Sequence, residues 1–228
     1  MTGDAARAEL IRLLERPHDL SRLMPPIPEL PPSDRRAAVL ILFGELDTVP
    51  DPDGGELRNV DLLMLRRAAT LRNHAGQVAF PGGRLEPGET PIEAALREAV
   101  EETGLDPTGV EVLGALPEVP APASSHIVTP VIGWWTKVSE VVAVDHAETV
   151  EVFRVPVADL LDPANRVTSF VERVGRTFES PGFQVAGTLV WGFTGKLLDW
   201  LLTELGWTRD WDQARRLPVP PDLRGWKA

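Results

Sequence analysis

Three glutamates, Glu98, Glu101 and Glu102, stand at i, i+3 and i+4. On a helix that spacing places all three carboxylates along one stripe. Three like charges so close repel by about 0.2–0.5 kcal/mol per pair at a surface, and by more if the face is covered. One reading is a solvated acidic face. The other is a cluster held together by cations, and two features favour it. Arg97 lies four residues before Glu101, so one guanidinium can hold that carboxylate in place, and Pro81-Gly82-Gly83 upstream allows backbone to approach a ligand closely. Such a set of oxygen donors suits a hard divalent cation such as Mg²⁺, which usually also takes substrate phosphate oxygens. Zinc fits less well, because histidines at metal-ligand spacing are missing.

The helix that must carry these residues is well signed. Thr90-Pro91-Ile92-Glu93 supplies an N-cap hydroxyl, proline at the first helical position and the glutamate of a capping box, and Gly104 supplies a C-cap, which predicts a helix over Thr90–Thr103. Other helices are expected at Ala5–Glu15, closed by Pro17, and at Gly195–Leu205, where leucine and tryptophan recur at helical spacing. Short branched or alternating apolar runs predict strands at Ala37–Leu46, Val60–Arg66, Val78–Phe80, Val110–Leu116, Ile127–Trp135, Thr149–Val155 and Thr188–Trp191, with a hairpin over Val167–Phe178 about Val174-Gly175. Asp47–Asn59 reads as a turn-rich loop. Mixed strands with few helices predict an α/β (α+β) sandwich. The expected division is an N-terminal helix and proline-rich arm (residues 1–35), a main domain (36–206) and a C-terminal tail (207–228).

The chain has 228 residues, a length that fits one globular unit with decorations, and 43% hydrophobic with 25% charged residues is an ordinary globular composition. The net charge of −11 repels phosphate backbones, which argues against a general nucleic-acid binder, although local arginines or a divalent cation could invert the field for a small phosphorylated ligand. No apolar run reaches the ~20 residues of a membrane span, and the N-terminus MTGDAARAEL lacks the basic start and apolar core of a secretory signal. The absence of cysteine removes disulfides, thiolate zinc sites and a cysteine nucleophile, and a cytoplasmic location fits. Prolines cluster at Pro17–Pro32 and Pro218–Pro221 as arms or loops, and these with the apolar Trp207–Trp226 tail could serve a homodimer.

Gly83, five residues, Glu89, seven residues, Arg97-Glu98, two residues, Glu101-Glu102, one residue, then Gly104 and Leu105 resembles the Nudix box without a gap, with Ala99 smaller than the aliphatic usual there. At average residue usage the seven fixed positions would coincide on the order of once in a million chains of this length. The resemblance implies the Nudix fold, a mixed sheet between helices, and hydrolysis of a nucleoside diphosphate linked to another group. It implies Glu98, Glu101 and Glu102 as metal ligands, Arg97 as the residue that orients them, Gly83 as a nearby carbonyl, and Glu89 as structural or an outer ligand. Upstream, Leu63-Met64-Leu65-Arg66-Arg67-Ala68, three residues, Arg72, three residues, Gly76, three residues and Phe80-Pro81-Gly82-Gly83 resembles the coenzyme A diphosphatase branch. It departs at Met64 and Leu65, where that branch carries leucine and threonine. Weaker echoes lie at Val128-Thr129-Pro130-Val131 and Val190-Trp191-Gly192-Phe193-Thr194, so the resemblance spans roughly Ala37 to Leu205.

Coenzyme A carries a diphosphate and a ribose 3′-phosphate, and Arg66, Arg67 and Arg72 form a basic patch suited to gripping phosphate. Such arginines would also keep a strand edge soluble; with the box downstream, Arg67, Arg72, Gly82 and Gly83 are read as substrate-binding. The resemblance then implies Mg²⁺- or Mn²⁺-dependent hydrolysis of coenzyme A or its derivatives to 4′-phosphopantetheine, or its acyl form, and adenosine 3′,5′-bisphosphate. The water's proton would go to Glu101 or Glu102, or to Glu148 as a remote base. Alternatives are a Nudix enzyme for NADH, ADP-ribose or a nucleoside triphosphate, and a silent Nudix domain used for sensing, although no carboxylate of the box is lost here. His74 is a candidate substrate contact and His126 a rim residue, while His18 and His146 read as surface. Trp134, Trp135, Trp191 and Trp200 are read as core.

Overall fold

The computed structural model describes residues 3–18, 20, 23, 35–45, 59–71, 74–121, 126–173 and 175–223. Among the described residues two sheets and four α-helices form a mixed α+β architecture. The proline-rich arm, the Asp-Gly-Gly loop and Val174 of the hairpin turn lie largely outside the described residues.

The larger sheet is organised on β1 (Arg36–Glu45), β2 (Val60–Arg67) and β7 (His126–Trp135). β1 pairs in parallel with β7 over Arg36↔Ile127 to Gly44↔Trp135. On its other edge β1 is shared: its last residues pair with β2, and Ala37–Val39 pair antiparallel with β4 (Gly82–Arg84). β3 (Val78–Ala79) and β8 (Thr149–Pro156) flank β2, and β5 (Val110–Ala115) and β6 (Val119–Ala121) pair with β7.

Side chains on β1 alternate between two cores, which is why its sequence is apolar throughout. Ala38, Leu40 and Leu42 face α2 (Pro91–Thr103), with Ala94, Ala95 and Ala99 opposite them. The small alanines let the helix lie close to the sheet, and Ala99, fully buried, fits that approach. Ile41 and Phe43 face the other way, toward Leu10 and Leu13 of α1 (Gly3–Leu14), Leu160 of α3 (Val157–Leu161) and Leu197 and Leu201 of α4 (Gly192–Glu204). Met64 and Leu65, the two departures from the branch pattern, are fully buried apolar residues.

The smaller sheet runs β11 (Thr188–Val190), β10 (Arg176–Val185), β9 (Arg166–Arg173) and β12 (Arg216–Pro218). Arg166 is buried there, paired with Asp199 and stacked 4.3 Å from the Phe183 ring and 4.6 Å from Trp211. α1 is held by Arg7 to Glu111 and by the Trp207 indole, which donates to Glu9. Trp134, Trp135 and Trp200 are buried as expected, and Trp191 is partly buried against the smaller sheet. Strands β4, β6 and β12 and helix α3 have no counterpart in the sequence reading. No described helix is long and apolar enough to cross a membrane.

Candidate active site

α2 forms as its sequence dictates. The Glu93 amide donates to Thr90 Oγ1 at 3.3 Å, the Thr90 amide donates to Glu93 Oε2 at 2.8 Å, and Gly104, at φ 67°, donates its N–H to Val100 O. Between these caps the acidic stripe turns toward β4. The Gly82 amide donates to Glu102 Oε2 at 2.9 Å, and Arg67, at the end of β2, reaches Glu102 at 3.7 Å. Gly82 can lie there only without a side chain, since a Cβ would overlap the Ala38 carbonyl and stand 2.7 Å from Val39 Cα. A Cβ on Gly83 would overlap the Glu98 carboxylate, so the second glycine makes room for that group against the backbone.

Arg97 ties the preceding loop to the helix. It donates to both Glu89 oxygens at 2.8 and 3.1 Å, to the Arg84 carbonyl at 2.9 Å, and to Glu98 and Glu101 at 3.0 Å each. Glu89 also accepts the Glu86 amide at 2.8 Å, so the turn leading into α2 is laced through this one carboxylate. The Arg97 hydrogen bonds hold the Glu89 carboxyl below its ordinary range, and the Glu89 contact in turn holds the guanidinium protonated.

The stripe is graded in environment. Glu102 is 7% exposed, and burial pushes its carboxyl up to about 7 against the opposing pull of the Gly82 amide and Arg67, with Glu98 and Glu148 adding repulsion. Burial also raises Glu98, outweighing Arg97, and Glu101 and Glu148 raise it further. The Glu101 side chain is 58% exposed. Glu148 arrives from the segment after β7, which closes the end of α2: Val142 N–H donates to Thr103 O and Val144 N–H to Glu102 O, while Ala68 N–H holds the Glu148 carbonyl at 2.7 Å.

Among the described residues no three carboxylates or histidines already converge as metal ligands. Glu98, Glu101 and Glu102 share a stripe, with Glu98 and Glu102 turned inward and Glu101 outward. The donor set nonetheless fits a divalent cation: two desolvated carboxylates and a third nearby leave surplus negative charge that Arg67 and Arg97 only partly offset.

Arg66 is engaged in a cross-strand pair with Glu151 at 2.9 Å, while Arg67 faces the site, and Arg72 lies outside the described residues. β2 is flanked on both sides, so its arginines do not serve to blunt an edge. His126 accepts from Arg84 at 2.9 Å beside the loop, in keeping with a rim position, and His74 contacts Gln77 at 2.9 Å. His18 is not a surface ring: both its nitrogens are buried, 5.5 Å from Trp200 edge-on. Arg84 and Gln77 are not singled out by the sequence, because the contacts that matter, to His126 and to the Leu223 carbonyl, are made with distant parts of the chain. Clefts of about 600 and 710 Å³ open elsewhere, beside Trp135 and beside Trp211, and border none of these groups.

The NUDIX domain family matches residues 48–174. Nudix hydrolase 3 of Caenorhabditis elegans is 34% identical over 188 residues, covering 76% of this chain and 75% of the relative. The Uncharacterized Nudix hydrolase NudL of Salmonella heidelberg (strain SL476) is 36% identical over 200 residues, covering 83% of this chain and 94% of the relative. The solved Nudix hydrolase RenU of M. smegmatis is 26% identical, covering 57% of this chain and 74% of that one, with a TM-score of 0.43. With an ungapped box folded into one helix and loop, and relatives matched over most of their length, the chain belongs to the Nudix family and is a hydrolase of nucleoside diphosphate derivatives.

Proposed function

We propose that the chain hydrolyses the diphosphate of coenzyme A or its derivatives, releasing 4′-phosphopantetheine, or its acyl form, and adenosine 3′,5′-bisphosphate. The observation that carries this reading is the position of Arg67. It stands in the segment that resembles the coenzyme A branch, and its guanidinium lies 3.7 Å from Glu102 of the Nudix box. A fixed cation beside the carboxylate stripe suits a substrate with more phosphate than the scissile diphosphate alone. In this reading Arg67 and Arg72 bind phosphate, and Gly82 and Gly83 let backbone lie against the substrate.

Glu98, Glu101 and Glu102 would hold Mg²⁺ or Mn²⁺, which when bound offsets charge on the phosphoryl oxygens and makes a water more acidic. Arg97 fixes the orientation of Glu98 and Glu101 through its two 3.0 Å contacts. The water's proton goes to a glutamate of the set Glu101, Glu102 and Glu148. Glu101→Gln with full turnover at saturating Mg²⁺ would remove Glu101 from that role.

The deciding experiment is a panel of coenzyme A, its 3′-dephospho form, NADH, ADP-ribose and nucleoside triphosphates with Mg²⁺ or Mn²⁺, products resolved by mass. Coenzyme A should have the highest kcat/KM, and Arg67→Ala should raise its KM. If NADH or ADP-ribose is cleaved better and Arg67→Ala is tolerated, the substrate assignment is wrong.

A further inference from the structure

The segment after β12 returns to the loop between β2 and β3. Val219 is fully buried, donates its N–H to Phe170 O at 2.9 Å, and packs with Val167, Val171 and Leu189 of the smaller sheet. The turn Pro221–Leu223 follows, with Leu223 packed on the same cluster. From there the Leu223 carbonyl accepts a hydrogen bond from Gln77 Nε2 at 3.0 Å.

Gln77 is committed at every polar atom. Its carbonyl accepts from the Arg67 N–H at 3.0 Å, its N–H donates to His74 O at 3.2 Å, and its Oε1 pairs with His74 Nδ1 at 2.9 Å. His74 is held at φ 57°, a left-handed conformation that surrounding contacts must maintain. β3 is two residues long, so the ladder contributes little to fixing this loop. The connection therefore runs from the smaller sheet through Leu223 and Gln77 to the backbone of Arg67, whose side chain lies beside Glu102.

We propose that the C-terminal segment is part of the substrate site: it positions the end of β2, with Arg67, through the Gln77–Leu223 hydrogen bond and so sets the affinity for the phosphorylated substrate. Gln77 is a positioning residue that touches no reacting atom. The inference rests on the reading of Arg67 as a substrate-binding group, and it deepens that reading without depending on which nucleotide derivative is the substrate.

The test uses the full chain and the best substrate of the diphosphate panel. Gln77→Glu keeps the side chain's size and its acceptor toward His74 but removes the donor to the Leu223 carbonyl, and Leu223→Ala leaves that backbone carbonyl in place but withdraws the apolar side chain that seats it on the Val167–Val219 cluster. Each single variant should raise KM about fivefold to tenfold, the scale of one lost neutral hydrogen bond, with kcat within about twofold. The double variant should be no worse than the more severe single variant, since both act through the same link. Unchanged KM in Gln77→Glu, additive rises in the double variant, or a fall in kcat at constant KM would each overturn the proposal. Failure of the coenzyme A assignment is a separate outcome, read from which panel member is cleaved best in the unaltered protein.

Discussion

Glu102 should make the metal-free protein less stable as pH rises, and Glu102→Gln should abolish that effect. In the unfolded chain the carboxyl titrates near its ordinary 4.5, whereas burial against β4 holds it protonated up to about 7. Between those values the unfolded chain has already released a proton that the folded chain keeps, so stability falls with pH across the window and levels off above about 7. At about 1.4 kcal/mol per tenfold change in proton affinity, the loss is about 3 kcal/mol, an upper value for a group with neighbouring charges. For a chain of this size it corresponds to a midpoint shift of about 6–12 °C. The assay is urea unfolding of both proteins with a chelator present, at pH 5 and pH 8. The variant, whose amide oxygen can still accept the Gly82 N–H, should gain about 2.5 kcal/mol on the unaltered protein between the two conditions, part of the full loss having already occurred at pH 5. A gap that changes by less than about 0.5 kcal/mol, well below the scale of one tenfold shift, would refute the claim that Glu102 is ionised at a cost in the fold.

Three further outcomes follow from the geometry. Gly82→Ala forces a methyl into the Ala38 carbonyl and the β1 backbone, and thermal melting should show a loss of about 1–3 kcal/mol, together with loss of turnover. Arg97→Lys cannot span Glu89, the Arg84 carbonyl and the two stripe carboxylates at once, so kcat should fall about 100-fold while circular dichroism remains that of the folded chain. Thr90→Ala removes the capping hydroxyl and should cost about 1 kcal/mol by urea unfolding, with kcat/KM unchanged, because the carboxylates and arginine of the box are untouched.

What was legible in the sequence was what neighbours in the chain decide. Thr90, Pro91, Glu93 and Gly104 fix both ends of α2 by local hydrogen bonds, and the apolar runs of β1 and β7 announce strands covered on both faces. The parallel pairing of those two strands has no local signature. β4 and β12 are three residues each and exist because β1 and β9 supply their partners. α3 is a five-residue turn begun at Pro156, too short for any periodic pattern. The stripe of glutamates could be read from spacing, but not its grading: Glu102 is buried because the Gly82 amide meets it, whereas Glu101 looks outward to solvent and Arg97. Arg66 and Arg67 are adjacent and alike in sequence, yet they lie on strand β2 where successive side chains point to opposite faces, and one meets Glu151 while the other meets Glu102.

The parallel union of β1 with β7 also bears on how the chain is made. On the ribosome β1 emerges about ninety residues before the strand that covers its second edge, which at about 5–20 residues per second is a delay of about 5–20 s. During that interval Ala37-Ala38-Val39-Leu40-Ile41-Leu42-Phe43, uncharged and without proline, is an adhesive ribbon on a nascent chain. Early hairpin closure with β2 shields only its far end. Yield in a host should therefore respond to chaperone supply and to translation speed between codons 45 and 126 more than to changes at the catalytic helix.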